Sequence, residues 1–322
     1  MSSESFASIS NLTIPTATVV YALALVAHAV EWAGSRTVSA GASEKKALVG
    51  AGGPDLSSET PGVVSAPPSR AEAASRIGLM LTGLAFLLHA VGVVTRGLAA
   101  GRAPWGNMYE FSITATLAVA VVYLALVRRY RLQWLGLGVT LVIGSVLGLA
   151  VLALYVPAGP LVPALHSYWL VIHVSAAAVA GGAFTVGALA SVLYLVKARA
   201  ERRVLAGGTM PGQLGRVPSS DAIDALAYKV HAFAFPLWTF GVLVAGPIWA
   251  EYAWGRYWGW DPKEVWSLVT WVIYAAYLHA RATAGWRGRR AAIVAIVGWV
   301  AFIFNFVGVN LLVSGLHSYA GV

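Results

Sequence analysis

Hydrophobic residues of the chain are gathered in long, nearly uncharged stretches that alternate with shorter polar segments. Each stretch has about 20 residues, enough for a helix to span the roughly 30 Å hydrocarbon core of a bilayer. Backbone polar groups find no partners in lipid, so segments that cross it are helical. The pattern predicts an all-α polytopic integral membrane protein with about eight transmembrane helices. The predicted spans are Ile14–Ala33, Ile77–Leu98, Met108–Val127, Leu132–Leu154, Trp169–Val196, Val230–Trp249, Val265–Ala284 and Ala291–Val313.

Composition narrows the possible functions further. Of the 322 residues, 58% are hydrophobic and 11% are charged. Soluble domains carry roughly 25% charged residues, so a soluble globular enzyme is excluded. The chain has no cysteine, which excludes disulfides, thiolate metal ligands and Cys-x-x-Cys redox chemistry within it. Any thiols that it handles must belong to another protein.

The net charge of +9 is explained by membrane topology. If the first span enters from outside, the inner loops hold 17 of the 22 basic residues, and Lys229 lies at an inner helix end. Positively charged loops face the cytoplasm, so both termini are predicted outside and no nucleic-acid partner is expected. The basic residues left on the outer side are Arg96, Arg102, Arg256 and Lys263.

Changes in composition divide the chain into three parts. Residues 1–34 form a predicted N-terminal transmembrane helix, and residues 35–75, rich in Gly, Ser, Ala and Pro, form a flexible inner linker. Residues 76–322 form the transmembrane core, which includes an outer tryptophan-rich segment, 249–266. Gly207–Ser220 reads as a second inner linker. Neither linker is expected to carry chemistry.

The tryptophan-rich segment suggests a ligand-binding surface. Six of the 13 tryptophans lie between Trp249 and Trp271. An aromatic belt at the membrane interface accounts for some of them, and Trp249 and Trp271 are assigned to that belt and to helix packing. Glycines among the other indoles let flat rings approach closely, which suits a large planar apolar ligand. Arg256 and Lys263 are candidates to meet carboxylates at its rim.

Two outer segments also predict helix starts. Asp261 precedes a proline and is followed three residues later by Glu264, the pattern of an N-cap and first turn. The second segment is the loop with Pro104 and Trp105, which is followed by Asn107, Tyr109 and Glu110. Glu110 is expected either to pair with Arg102 or Arg256, or merely to begin a helix.

The run Trp254-Gly-Arg-Tyr-Trp258-Gly-Trp260-Asp261 resembles the WGxxWxWD signature of the haem-handling (WWD) membrane proteins of cytochrome c maturation. Within that superfamily the chain resembles the CcsA/ResC type of the system II pathway, also called CcsB. The resemblance covers most of residues 77–322 and is carried further by four stretches: His89–Arg96, Gly101–Glu110, Trp169–Val174 and Asn305–Tyr319. It implies that Trp254, Gly255, Trp258, Trp260 and Asp261 contact haem.

Two histidines lie at the level of this segment. His173 is about one turn inside the outer end of its predicted helix, and His317 lies just beyond the last helix. Imidazole is a common axial ligand of haem iron. The resemblance implies that His173 and His317 are the two axial ligands of an outer haem and the catalytic residues. The alternative is a pair of interfacial histidines bonded to water or carbonyls. His166 is interpreted as an interfacial residue or as one that supports a ligand.

A third histidine, His279, lies about five residues from the inner end of its helix, roughly 8 Å, and is too deep to reach the outer site. The resemblance implies that it binds haem iron within the membrane, opposite a ligand from a ResB-type partner subunit. His28 and His89 remain alternative second ligands, although both are interpreted as packing or hydrogen-bonded residues. His231 is interpreted as structural.

The implied function is cytochrome c haem lyase activity, together with the ResB-type partner. Haem b would be bound, moved to the outer face of the plasma membrane and joined by thioether bonds to Cys-x-x-Cys-His in apocytochrome c. A separate protein would keep the thiols reduced. Two alternatives remain: a permanent b-type cytochrome that transfers electrons, and a secondary transporter, which would require charged or broken helices at the membrane midplane.

Overall fold

The computed structural model describes residues 1–34, 69–159 and 166–317, and every regular element in these ranges is helical. A 3₁₀ turn, Leu132–Leu135, precedes the fourth helix. The helices are α1 Ser3–Gly34, α2 Arg70–Ala100, α3 Met108–Val127, α4 Gly136–Ala153, α5 Tyr168–Leu205, α6 Gly212–Arg216, α7 Ser220–Trp238, α8 Gly246–Trp254, α9 Pro262–Thr283, α10 Arg289–Ile303 and α11 Val309–Leu312.

All eight predicted spans fall within helical stretches to within one residue at their ends, and the all-α polytopic fold is confirmed. Within the described residues, seven helical stretches are long and apolar enough to cross a membrane: Ser3–Gly34, Arg70–Ala100, Met108–Val127, Leu132–Ala153, Tyr168–Leu205, Ser220–Trp254 and Arg289–Leu312. The eighth predicted span lies in α9, whose 22 residues are less apolar than those of the other seven. The outward orientation of both termini stays a prediction.

The two predicted linkers differ from expectation where the structure describes them. Residues 35–68 of the first linker lie outside the described residues. Its last part is helical, because Ser69 caps α2 and forms a reciprocal capping box with Glu72. The second linker contains α6, whose Leu214 is buried and accepts a hydrogen bond from Lys197 Nζ at 2.6 Å. This segment is therefore packed against α5 and is not an extended linker.

Helix α5 forms the centre of the bundle and packs against α3, α7 and α10. Its contact with α3 is close, because a Cβ at Gly182 would lie 2.9 Å from the carbonyl carbon of Ala118. At the edge of the bundle, α1 packs along α2, where Ser10 Oγ donates to Gly92 O at 2.8 Å. Small residues thus let backbones approach where lipid gives no hydrophobic driving force between helices.

Two π-helical segments interrupt helices that the sequence pattern predicts to be regular. Thr239–Ala245 joins α7 to α8, and Phe304–Gly308 joins α10 to α11. In a π-helical turn each backbone carbonyl accepts a hydrogen bond from the amide about five residues later, rather than about four as in an α-helix. Such turns are frequent at functional sites. In this protein both segments border the candidate functional site.

Candidate functional site

His173 lies in the second turn of α5, which Ser167 begins as N-cap. Its Nδ1–H donates to the carbonyl oxygen of Gly241 at 2.7 Å, within the first π-helical segment. Gly246 packs beside the ring, since a Cβ there would lie 3.0 Å from Nδ1. Because a carbonyl can only accept, the ring proton is on Nδ1 and the lone pair is on Nε2.

His317 is held by the last residue of the tryptophan-rich motif. Its Nδ1–H donates to Asp261 Oδ1 at 2.7 Å, which again leaves the lone pair on Nε2. Asp261 also accepts from the backbone amides of Leu316, at 2.6 Å, and Lys263, at 3.0 Å. Asp261 therefore fixes both the turn that carries His317 and the imidazole ring.

The same aspartate begins α9, as its sequence pattern predicts. Asp261 is the N-cap, and Glu264 completes a capping box by accepting from the amide of Asp261 at 3.0 Å. Burial raises the pKa of Asp261, but the hydrogen bonds from His317 and the two backbone amides outweigh this effect and hold the pKa below its ordinary value. Burial also lowers the pKa of His317, against the opposing effect of Asp261, which favours the neutral imidazole that metals require.

Trp249 connects the two histidines. Its ring stacks on that of His173 with centroids 5.8 Å apart and planes 10° apart, and lies 5.7 Å from the ring of His317. Trp254 completes the cluster, 4.9 Å from His317 and 4.8 Å from Trp249. Of the two roles predicted for Trp249, a place in the interfacial belt and helix packing, the first is wrong and the second agrees with a side chain that is buried within the site.

These residues line one end of a cavity of about 470 Å³. This volume is within the range of roughly 300–1,000 Å³ that is typical of ligand sites. The cavity continues between α3, α5 and α10 towards the middle of the bundle, and most of its wall is apolar or aromatic. Among the residues that line it are His173, His317, Trp105, Trp238, Trp249, Trp254, Tyr257, Trp258, Trp299, Phe302, Lys263 and Asn305.

The other residues of the motif are placed differently. Trp258 lines the cavity, whereas Trp260 is 69% exposed and does not. Gly255 ends α8 in the left-handed region, at φ 69°, where glycine carries no steric cost. Arg256 packs over Gly259 rather than lining the cavity, because a Cβ on Gly259 would lie 2.6 Å from the guanidinium carbon. The sequence motif therefore combines residues that face the ligand cavity with residues that form the turn behind it.

A buried ionic cluster braces the same end of the bundle. Glu110, fully buried, accepts from Arg96 Nε at 2.8 Å and from Arg102 Nη1 at 2.7 Å. The arginines also donate to the carbonyls of Val156 and Gly159 in the loop after α4. Pairing of Glu110 with Arg102 is confirmed, Arg96 is an additional partner, and Arg256 is not part of the cluster. Asn107 is the N-cap of α3, as its position predicts.

His279 lies at the opposite end of α9. It is 18 residues beyond Asp261, which corresponds to about 27 Å along a helix. Its side chain is exposed on the surface of the bundle, on the same stripe of α9 as Val272, Ala276 and Thr283. The structure thus separates His279 from the outer histidines and from the cavity.

The remaining histidines do not line the cavity. His89 is buried and its Nε2 is 2.8 Å from Ile113 O, and His28 is buried with Nδ1 3.2 Å from Glu31 Oε2. His231 is buried with Nδ1 2.7 Å from Ala227 O. These positions confirm the interpretation of His28 and His89 as packed, hydrogen-bonded residues and of His231 as structural. His166 is exposed before α5.

Several site residues could not be identified from the sequence. Gly241, whose carbonyl accepts from His173, lies in a π-helical segment that the sequence pattern does not predict, and Gly246 directly follows that segment. Asp261 and His317 are 56 residues apart, and nothing in the pattern links them. The available signal for Trp249 was its position at the start of the tryptophan-rich segment. That position does not indicate the direction of its ring.

Comparisons with known proteins agree with the resemblance in the motif. The family described as cytochrome C assembly protein matches residues 105–317. The cytochrome c biogenesis protein CcsA of Parasynechococcus marenigrum (strain WH8102) is 37% identical over 268 residues, which cover 77% of this chain and 88% of that protein. CcsA of Guillardia theta is also 37% identical, covering 76% of this chain and 85% of its own. CcsA of Microcystis aeruginosa is 35% identical, with coverages of 75% and 87%.

A solved structure has a similar fold. The cytochrome c haem lyase CcmF superposes with a TM-score of 0.65 over 95% of this chain, at 15% sequence identity. This chain covers 47% of the CcmF chain and so spans about half of its length. At this identity the similarity concerns the arrangement of helices alone.

Proposed function

The chain belongs to the cytochrome c assembly protein family and acts in cytochrome c biogenesis, and from this premise we propose that it is the haem-presenting subunit of a cytochrome c synthase. It binds haem b, moves it to the outer face of the plasma membrane and presents it for covalent attachment to apocytochrome c. The observation that carries the proposal is the pair His173 and His317, which line one end of an apolar cavity with Nδ1 of each ring already engaged.

The residues of the site fit haem. Both rings have the lone pair on Nε2, the atom that would bond to iron. A hydrogen bond at the other ring nitrogen fixes the orientation of a metal-binding histidine and raises its basicity. The indoles of Trp249, Trp254 and Trp258 supply flat apolar surfaces for the porphyrin.

Attachment requires that haem and the thiols of apocytochrome c be held in the right orientation. It does not require a reactive group on this chain. Each thiol sulfur of a Cys-x-x-Cys-His segment bonds to a vinyl carbon of haem, and the thiol hydrogen goes to the neighbouring vinyl carbon. This chain has no cysteine, so apocytochrome c supplies both thiols and a separate protein keeps them reduced. Holding reactants in a fixed geometry lowers barriers by up to about 7–11 kcal/mol.

The two outer histidines have different roles when the product leaves. His173 lies within the long helix α5, whereas His317 lies in the turn after α11. A residue in a turn can be displaced without disturbing a helix. The histidine of Cys-x-x-Cys-His therefore replaces His317 on iron, and His173 is the ligand that stays until release.

An inner haem position is supported by His279. An ionisable side chain inside a membrane is costly unless it has a partner. Because His279 faces outward from α9, and α9 is less apolar than the other spans, a second membrane protein covers this face and supplies the other axial ligand. A ResB-type subunit fits this role better than His28 or His89, which are buried and already hydrogen-bonded within the bundle.

Haem transfer distinguishes a synthase from a permanent b-type cytochrome. The full chain, purified with its neighbouring subunits and with haem bound, is mixed with a reduced apocytochrome c that contains one Cys-x-x-Cys-His. We expect the absorbance of the bound haem to decay while covalent haem on the apocytochrome increases. Retention of all the haem, with reversible reduction by a quinol, would instead identify an electron-transfer protein. Replacement of both substrate cysteines by serine is the control and should prevent covalent transfer.

A further inference from the structure

The cavity wall contains polar groups that axial ligation of iron does not use. They come from three segments: the loop before α3, the first turn of α9, and the π-helical segment Phe304–Gly308 together with α11. The groups are the indole N–H of Trp105, the ammonium of Lys263 and the carboxamide of Asn305, all of which line the cavity, with Asn310 beside Lys263. Polar groups in a mostly apolar wall determine which ligand atoms can lie against them.

Lys263 is held in place by a neutral partner. Its Nζ donates to Asn310 Oδ1 at 2.6 Å and lies 5.7 Å from the centre of the Phe111 ring. Asn310 is itself oriented, because its Nδ2 donates to Phe306 O at 2.5 Å. No salt bridge between described residues includes Lys263. An ammonium has three donors, so Lys263 keeps donors for an anion.

The two acidic residues next to Lys263 are already occupied by other donors. Asp261 accepts from His317 and from the amides of Leu316 and Lys263. Glu264 accepts from the amides of Gly259 and Asp261 at 2.9 and 3.0 Å. The ammonium of Lys263 is thus the cation in this part of the wall whose charge a ligand would balance.

Two further polar groups in the wall have no hydrogen-bond partner among the described residues. They are Trp105 Nε1 and Asn305 Oδ1, on side chains that are 8% and 6% exposed. A buried polar atom left unpaired costs about 1–3 kcal/mol, so such atoms mark places where a ligand or water completes the bonding. Trp105 can only donate, which matches an acceptor on the ligand.

We propose that this polar wall is the binding site for the carboxylates of the ligand: Lys263, positioned by Asn310, forms an ion pair with one carboxylate, and Trp105 donates a hydrogen bond to a carboxylate oxygen. If the ligand is haem, the carboxylates are its propionates, so the inference rests on the proposed function. The wall then sets the rotation of the porphyrin about the bond axis to iron, and with it the position of the vinyl groups.

The test compares haem with haem dimethyl ester, in which both carboxylates are neutral. The full chain and its Lys263→Met, Lys263→Arg and Trp105→Phe variants are titrated with each porphyrin, and dissociation constants are measured by absorbance. Loss of a charged hydrogen-bonding partner should weaken haem binding roughly tenfold or more in Lys263→Met. Binding of the dimethyl ester should be unchanged. Lys263→Arg should keep most of the haem affinity, and Trp105→Phe should lose roughly threefold for haem alone.

The control is Lys229→Met, which removes an exposed lysine near the predicted inner surface and should alter neither titration. Equal weakening for haem and the ester in Lys263→Met would mean a structural role and would overturn the carboxylate site. Unchanged haem binding in that variant would also overturn it. If the unmodified chain bound neither porphyrin, the proposed haem binding itself would be wrong. If the unmodified chain bound haem and the dimethyl ester with equal affinity, only the carboxylate site would be wrong.

Discussion

The two ends of the bundle, which are predicted to face outward and inward, carry histidines in opposite settings. At the outer end, His173 and His317 each have Nδ1 in a hydrogen bond and line a cavity with tryptophan walls. At the inner end, His279 is exposed on the surface of α9 and lines no cavity. In the proposed assignment, the outer site has two ligands and their supporting groups within one chain. The proposed inner site has one ligand, which faces away from the bundle.

Burial and orientation together decide what a histidine can do. A metal-binding imidazole needs its other nitrogen fixed by a partner, and both outer histidines have such a partner. His89 and His231 also have one ring nitrogen in a hydrogen bond, but both side chains are fully buried and neither lines the cavity. The outer end is also braced by the Arg96–Glu110–Arg102 cluster, whereas the exposed face of α9 is available to a second protein.

The largest expected effect is loss of an outer axial ligand. His173→Ala or His317→Ala should lower outer haem content at least about tenfold and abolish cytochrome c formation, because each removes one bond to iron. Haem per protein is measured by pyridine haemochrome after purification. Added imidazole should partly restore binding by filling the vacant position. His166→Ala, an exposed histidine at the same end, is the matched control, and full maturation by both outer variants would contradict the bis-histidine site.

Substitution of the inner histidine tests whether the two ends communicate. If haem loads from the inner position, His279→Ala should deplete haem at both ends, whereas His173→Ala should leave the inner haem in place. The measurement is haem content and absorbance spectrum of each variant, purified with its partner subunit. An undiminished outer haem in His279→Ala would rule out the relay and would mean that haem reaches the cavity laterally from the bilayer.

A smaller effect should follow from changing the partner of His317. Asp261→Asn keeps a good N-cap for α9 but removes the charge that holds the imidazole. Outer haem affinity should fall about 10–100-fold, which is typical for a residue that orients a metal ligand. Titration with haem checks this, and thermal unfolding should change little. Asp221→Asn, in the first turn of α7, is the control; an unaltered affinity in Asp261→Asn would show that His317 does not depend on its carboxylate.

The smallest effect separates the tryptophans of the outer end. Trp249→Leu should weaken haem retention roughly two- to tenfold, because the ring contacts both His173 and His317. Trp260→Leu should have little effect, since Trp260 is 69% exposed and lies outside the cavity. Haem per protein after repeated washing gives the comparison. A larger loss in Trp260→Leu would point to a contact with apocytochrome c or a partner rather than with bound haem.

Much of the site could be predicted in kind but not in detail. Trp254, Trp258, His173 and His317 do line one cavity, and Asp261 does begin a helix. The sequence could not predict the roles of Trp249 and Trp260. It also could not predict which of Lys263 and Arg256 lines the cavity, because residues near a turn can point in any direction. The pairing of Glu110 with Arg96 depended on α2 and α3 packing together at their outer ends.

The positions and approximate ends of the membrane-spanning stretches, and the segment proposed to bind haem, could be predicted from the sequence alone. The reason is that lipid imposes length and composition on each span independently of the others. The tertiary structure alone decided the rotation of each helix about its axis, the two π-helical segments and the contacts between distant residues, such as Asp261 with His317. These depend on how side chains of different helices interlock, and an apolar run is equally compatible with every rotation.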